Sequence, residues 1–429
     1  MKRTKPPERP LNEFTETRHE RNEKILRSTK ASNDPKLDGE AYAKTMAEVE
    51  RGVLKGPFES LEEIPLDDIS LVPRHGIWEQ HGGATEASCR CIDDMLVGEQ
   101  NGTVGTVSSH RPTDPDGLVA QVGAVRRRYP KLKLLGWPCD LEKAYKQVPQ
   151  DPRQIKWTII VIWSPLAMKP VFLMAPCQLF GGKSPPLNFA RYPAWLCECA
   201  STLFALPITH CVDDVIGIEP ASLALAGNIA FKLLCEATGW KISAAKSPLP
   251  EEVFVVIGVK LDLSGVPEHE AKLEVTEKRV EQLTKTIQTI QSSRRLGSGD
   301  AASLTGKLGF TLCATFGRFG RAKLRAYIRR CGETRAGMNP QILAANEFWL
   351  KFLTSYTPRR IPVFLDKLDV VVSYSDGEGA DAGLGIAVWS SRCKNGPLAA
   401  FCEIPTAIRK LWSRQRDEGF NDIFHCAGA

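Results

Sequence analysis

The chain has 429 residues, 43% of them hydrophobic and 25% charged, enough to bury a large core and form roughly two to four domains. Its longest apolar run, residues 157–163, is closed by Ser164 and Pro165 and is far too short to span a bilayer, so no membrane partner is expected. Thirteen cysteines without CxxC spacing and seven scattered histidines argue against a structural zinc site, and residues 1–10 lack the apolar core of a secretory signal, so free thiols in an intracellular, reducing setting are expected.

In chain order, residues 1–50 mix charges of both signs with proline and few large apolar residues, which predicts a disordered or loosely helical arm. Residues 52–101 read as short apolar segments broken by Pro and Gly. Near their end Arg90 could reach a phosphate with Asp94 to hold it, or form a plain surface ion pair. The spacing predicts a helix over 117–128, with Leu118, Val122 and Val125 on one face and Arg126, Arg127 and Arg128 at the end where the helix dipole favours cations. A strand then arrives at Asp140 and a short helical turn carries Tyr145 away; Asp140 reads as a helix N-cap or as a carboxylate presented at a strand end. Residues 155–163 and 170–175 predict a hairpin around Ser164-Pro165. Gly181 and Gly182 then open a helix running through Tyr192, Trp195 and Leu196, either as a plain loop or as backbone able to approach a nucleotide.

The most telling stretch is Cys211-Val212-Asp213-Asp214-Val215. Apolar residues run up to two adjacent carboxylates and resume directly after them, which predicts strand, tight turn and strand with the acids at the tip. Neighbouring carboxylates repel unless a cation sits between them, so the pair suggests a divalent metal site, the alternative being an ordinary Asp-rich turn.

A helix is predicted over 221–238 with Ile229, Leu233 and Leu234 inward, stopped by Gly239 and followed by Lys241 and Lys246. Residues 252–263 predict a single strand buried on both faces. Val280, Leu283, Ile287 and Ile290 predict an amphipathic helix over 276–292. Residues 306–335 carry eight cations (Lys307, Arg318, Arg321, Lys323, Arg325, Arg329, Arg330 and Arg335) against one acid, Glu333. Such a helix is usually a solvated face, but after a metal-binding core it reads as a tracker of a phosphate backbone. A loop-rich connection leads to Pro362, and then come three strands, with Asp376 ending the first and a helix starting after Pro405.

Taken in order, these segments resemble the reverse transcriptases of retroelements. Asp140-Leu-Glu-Lys-Ala-Tyr145 resembles their first catalytic motif, and Leu179-Phe-Gly-Gly-Lys-Ser-Pro-Pro-Leu-Asn-Phe189 their template-contacting segment. Cys211-Val-Asp-Asp214 resembles the YxDD hairpin, Gly239 to Lys246 the lysine motif, and Val256-Ile-Gly258-Val the primer-grip strand. The matches span residues 70–330, about 60% of the chain. Cys211 departs from the usual tyrosine and Leu179 from the usual proline.

The resemblance implies an α/β (α+β) right-hand polymerase. It would have a flexible arm (1–50), fingers and an antiparallel-sheet palm (51–265), a helical thumb (266–335), a connection (336–367) and a partial ribonuclease H-like segment (368–429) without ribonuclease H activity. It implies catalysis by Asp140, Asp213 and Asp214 through two Mg²⁺ ions, with Mn²⁺ as a substitute. Tyr145, Phe180, Gly181, Arg90 and Lys246 would bind the incoming deoxynucleoside triphosphate. Ile257, Gly258, Lys307, Arg318, Arg321, Lys323 and Arg325 would hold an RNA or DNA template with its primer. The competing readings are a decayed copy that binds nucleic acid without catalysis and an RNA-dependent RNA polymerase, against which the ring of Tyr145 argues because it would exclude a 2′-hydroxyl.

Overall fold

A computed structural model describes residues 5–79, 87–106, 113–266, 270–315, 320–361, 371–378, 383–390 and 396–406. The chain divides into two compact units, Met1–Val363 and Phe364–Ala429. The first mixes strands with helices and contains three sheets; the described elements of the second are three strands.

The smallest sheet of the first unit carries the paired acids. Leu134–Asp140 pairs antiparallel with Asp214–Pro220, which pairs antiparallel with Ile208–Cys211. Alternate residues serve opposite faces, as a strand requires. Trp137, Cys139 and Val215 share a core with Leu196, Cys197 and Ala200 of the helix Arg191–Phe204 and with Ala224, Phe231 and Cys235 of the helix Ala221–Ala237. Leu134, Ile216 and Ile218 face the other way, into a core shared with Leu118, Val122 and Val125 of the helix Pro115–Arg128. Asp140 and Asp214 fall on this second face by the same alternation. A one-residue slip in register would drive both acids into the helix-packed core, so the apolar pattern itself locks their position.

A five-stranded sheet is built from strands on both sides of Leu134–Asp140 in the chain, in the order Lys55–Phe58, Lys169–Met174, Ile159–Ser164, Leu71–Glu79, Ser88–Asp93. The segment expected to be a flexible arm is built onto it. Helices Leu11–Glu16, Arg18–Ser28 and Pro35–Glu50 bury Phe14, Ile25 and Ala41. Asn22 donates to Ile69 O (2.7 Å) and accepts from Leu71 N (3.0 Å), and Arg21 donates to Ser70 Oγ (3.2 Å). Polar side chains that looked solvated in the sequence satisfy the backbone and side chains at the start of a strand.

Three further expectations change. The helix Ala221–Ala237 is rotated: Ile229 and Leu233 are exposed, while Ala224, Gly227, Asn228, Phe231 and Cys235 face the sheet, because this helix lies so close that a Cβ on Gly227 would stand 2.1 Å from Glu219 Oε2. Residues 252–263 form a hairpin, not one strand; Val253–Val256 pairs with Val259–Asp262 around Ile257-Gly258, and Val253 and Val255 are exposed. The hairpin extends through Ala271–Val275 to Arg359–Ile361 as a four-stranded sheet. The expected loop-rich connection holds a full helix, Pro340–Ser355, capped by Asn339 Oδ1 accepting from Ile342 N (2.9 Å) and buried through Trp349, Phe352 and Leu353.

In the second unit Val371–Glu378, Gly383–Ser390 and Leu398–Glu403 form an antiparallel sheet in chain order. Asp376 lies within the first strand, opposite Gly385, rather than at its end. Among the described residues no helix is long and apolar enough to cross a membrane, and every cysteine is a free thiol.

Candidate active site

The strands Ile208–Cys211 and Asp214–Pro220 are joined by Val212 and Asp213 alone, with Cys211 opposite Asp214. Val212 takes φ of 57°, a conformation a β-branched residue rarely adopts, so this tip stores backbone strain. Asp140 sits directly opposite Asp214 on the neighbouring strand. Such cross-strand partners have Cβ atoms about 4.5–5.5 Å apart. Leu141 N donates to Asp213 O (3.1 Å), tying the turn to the end of the Asp140 strand. The structure thus brings together Asp140, Asp213 and Asp214 from two distant stretches.

Electrostatics follow from this crowding. Burial, reinforced by the charges of Asp213 and Asp140, pushes the Asp214 carboxyl up to about 6. Burial also raises Asp213, with a further contribution from Asp140. Asp140 is 7% exposed and its Oδ1 takes the ammonium of Lys246 at 3.0 Å, which raises the lysine. Asp140 N donates to Ser247 Oγ (3.1 Å), and Ser243 N donates to Asp140 O (2.9 Å), so the turn Ala244–Lys246 is anchored at both sides. Among the described residues no three His, Cys, Asp or Glu side chains form a ready-made metal cage. At Asp140 the Lys246 ammonium already supplies positive charge. Burial and the two acids push the Cys211 thiol up to about 11, which leaves it neutral.

Beside the acids, the turn Ala144–Gln147 carries Tyr145, whose ring centroid is 4.8 Å from Phe180 and 5.3 Å, edge-on, from Phe189. Burial raises its phenol, and the charge of Asp213 adds to this. Gly181 has φ of 98°, and a Cβ there would stand 2.0 Å from Asp93 O, so glycine alone fits. The loop is clasped by Asn101, whose Nδ2 donates to Gly181 O (2.9 Å) and whose Oδ1 accepts from Lys183 N (2.7 Å). Asn101 gave no signal in the sequence.

Arg90 is exposed and donates to both carboxylate oxygens of Glu79 (3.2 Å each). Asp94 does not hold it; its Oδ1 accepts from Leu96 N and Val97 N as a turn cap. Ile257 and Gly258 occupy a hairpin tip. Lys307 is exposed on the helix Ser298–Thr311, and Arg321, Lys323 and Arg325 are exposed on the helix Arg321–Cys331. Arg318 lies outside the described residues. Two other cations of the basic stretch are structural: Arg330 is buried on Glu333 and the carbonyls of Arg335 and Gly337, and Arg329 donates to Gln341.

A second group escaped the sequence reading. Arg74, buried in the strand Leu71–Glu79, donates to Asp93 (2.6 and 3.2 Å) and Glu48 (2.9 Å), and Glu48 also pairs with Lys146. Lys146 Nζ stands 5.9 Å from the centre of the Phe180 ring, so this network runs from the helix Pro35–Glu50 to the edge of the site. A lone arginine inside Leu71-Val-Pro-Arg74 was the available signal.

The fold is similar to that of a viral reverse transcriptase. Solved structures of the foamy viral protease-reverse transcriptase superpose on the chain: a form designated dRH in complex with double-stranded DNA, the protein with double-stranded DNA, and the protein with an RNA/DNA hybrid. Each has a TM-score of 0.54, with 15%, 14% and 14% identity over 91%, 95% and 90% of this chain. The chain spans 64%, 85% and 46% of those chains respectively, and at this identity the likeness is one of fold. No family model matches the sequence, and no curated protein matches it.

Proposed function

We propose that the chain is an RNA-directed DNA polymerase of a retroelement, which extends a primer on an RNA or DNA template with deoxynucleoside triphosphates. The observation that carries this reading is Asp140 directly opposite Asp214 on one face of a sheet, with Asp213 at the adjoining turn and Tyr145 near enough to feel its charge. In this reading the three-stranded sheet is the palm, the five-stranded sheet the fingers, the helices between Glu277 and Cys331 the thumb, and the second unit a partial ribonuclease H-like segment.

An all-carboxylate donor set suits a hard cation, and two acids held up by burial and mutual repulsion are a cluster that Mg²⁺ or Mn²⁺ would relieve. Asp140, Asp213 and Asp214 would hold it. When bound, it supplies a more acidic primer 3′-hydroxyl and neutralises charge at the leaving pyrophosphate. The chain's own groups do the rest. Tyr145, pinned between Phe180 and Phe189, presents its face to the sugar and excludes a 2′-hydroxyl. Gly181 lets backbone approach the templating pair. Lys246 keeps its proton well above neutral pH and stands beside Asp140, ready to donate to the departing pyrophosphate. Lys307, Arg321, Lys323 and Arg325 would follow the duplex by its phosphates, and Arg90, once it leaves Glu79, would grip the triphosphate.

Primer extension by the purified chain on poly(rA) with oligo(dT), deoxythymidine triphosphate and Mg²⁺ tests this. Extension that disappears in Asp213→Asn supports the polymerase. Duplex binding without extension by the unmodified protein would instead support a nucleic-acid-binding relic, and equal use of ribonucleotides would support an RNA polymerase.

A further inference from the structure

Two helices, Arg191–Phe204 and Ala221–Ala237, cover the face of the three-stranded sheet that points away from Asp140 and Asp214. They pack on each other and run antiparallel: the start of the first meets the chain just past the end of the second, where the Tyr192 and Trp240 rings lie 5.3 Å apart. Their inward sides fill the core, through Leu196, Cys197 and Ala200 on one and Ala224, Phe231 and Cys235 on the other. A surface helix built this way ordinarily turns charged and polar residues outward.

These two turn apolar residues outward as well. Trp195, Leu203, Leu223, Leu225, Ile229 and Leu233 are each between 48% and 65% exposed, and Leu225, Ile229 and Leu233 follow one another at four-residue spacing along one stripe. Six large apolar side chains, half exposed, present on the order of 500 Å², which is the upper range for the largest apolar patch on an ordinary monomer. The same area is more than half of the about 800 Å² that each partner gives to a standard protein interface. At one end Tyr192, Trp195 and Trp240 add an open cleft of about 690 Å³.

The few charges on this face indicate what covers it. The two helices carry four: Arg191, Glu198, Lys232 and Glu236. Lys232 is engaged, donating to Ser247 O (3.2 Å). Arg191 and Glu198 are exposed, and neither has an ion pair among the described residues. They flank Trp195 on one side of their helix, seven residues and about 10 Å apart, too far to pair with each other. A two-fold axis between Ala194 and Trp195 removes the mismatch. With a second copy of the helix laid antiparallel, Arg191 meets the partner's Glu198 and Glu198 meets the partner's Arg191. Ala194 carries only a methyl group at the axis, so the two backbones can approach closely.

We propose that this face binds a second copy of the chain, the helices Arg191–Phe204 crossing antiparallel at Trp195 with the stripe of Leu225, Ile229 and Leu233 alongside. A membrane surface fits less well, because helices that lie in lipid headgroups carry an excess of Lys and Arg, whereas cations and anions are equal in number here. The inference is independent of the polymerase reading.

Sedimentation velocity of the full chain over a concentration series tests it. The unmodified protein should dimerise with a dissociation constant in the micromolar range. Arg191→Glu and Glu198→Arg each set like charges against one another twice per dimer, and each should weaken association about 100-fold or more. The double variant Arg191→Glu/Glu198→Arg should dimerise like the unmodified protein. The two single variants, monomeric apart, should dimerise with one another when mixed, because each supplies the charge that the other needs; their association also shows that both are folded. Trp195→Ala should weaken association about tenfold or more. The proposal is overturned by an unmodified protein still monomeric at about 100 µM, by association that survives both single swaps, or by a double variant and a mixture that stay monomeric. A monomer that instead binds vesicles of phosphatidylcholine and phosphatidylserine overturns it too.

Discussion

Two hairpins of this molecule share one device and carry opposite charge. Each turns through two residues, and each places a β-branched residue at positive φ, Val212 at 57° and Ile257 at 43°. The first gathers two acids at its tip and a third from the next strand; the second brings a backbone glycine against a guanidinium with no ion pair among the described residues. Each leaves a charge that the fold itself does not fully neutralise. The difference is one of charge: in the proposed reading a cation would complete the acidic hairpin. Substitutions at the first should then act on chemistry, and those at the second on binding.

The largest separation is expected at Asp140→Asn. Primer extension should fall by on the order of 10³-fold, while duplex affinity stays within a factor of about two. An equal loss of affinity would erase the distinction between the hairpins.

Next comes a stability test of the acidic hairpin. Asp214 is pushed up to about 6 in the fold, against 3.8 for the ordinary group, so folding takes up a proton between those values. Its folded form is favoured at low pH, and stability is lost as pH rises from about 4 through about 6, by about 3 kcal/mol. Metal-free Asp214→Asn should therefore melt above the unmodified protein near pH 7.5 and level with it near pH 4, roughly the two ends of that window. Mg²⁺ should stabilise the unmodified protein and leave the variant nearly unchanged.

At the second hairpin, Gly258→Ala adds a methyl 2.9 Å from Arg279 Nη2 at φ of 75°. It should cost about 1 kcal/mol in denaturant melts. The smallest effect belongs to Val212→Gly, which relieves the strained tip but frees the unfolded chain. A net gain of about 0.5 kcal/mol is expected, read from thermal unfolding.

Much of this was legible because it is local. The pattern of apolar run, two acids and apolar run around Asp213 and Asp214 can only be a hairpin tip, and Leu118, Val122 and Val125 mark one face of a helix whatever it packs on. Residues 340–355 were legible too, from Asn339, Pro340 and the spacing of Ile342, Ala345, Trp349 and Phe352, and the loop-rich reading overlooked them. The hairpin at Ile257 was hidden for a different reason: Val253 to Ile257 and Val259 all have strand-forming character, and Gly258 alone signals a turn. Ile229 and Leu233 misled because hydrophobicity ranked them inward, whereas close approach to the sheet demanded the small side chains of Ala224 and Gly227. Arg90 and Arg74 are alike in sequence, each an arginine in a strand, yet one is exposed on Glu79 and the other buried on Asp93 and Glu48.

By itself the sequence determined the strands around Asp140 and the Asp213-Asp214 turn, the helix over 117–128 and which residue types could meet a metal or a phosphate, because those depend on neighbours within a few residues. The tertiary structure alone decided that Asp140 faces Asp214, that burial and crowding lift two acids, and that Arg279 has no ion pair among the described residues. Those properties arise from pairing register and desolvation between segments far apart in the chain, and no local pattern encodes either one.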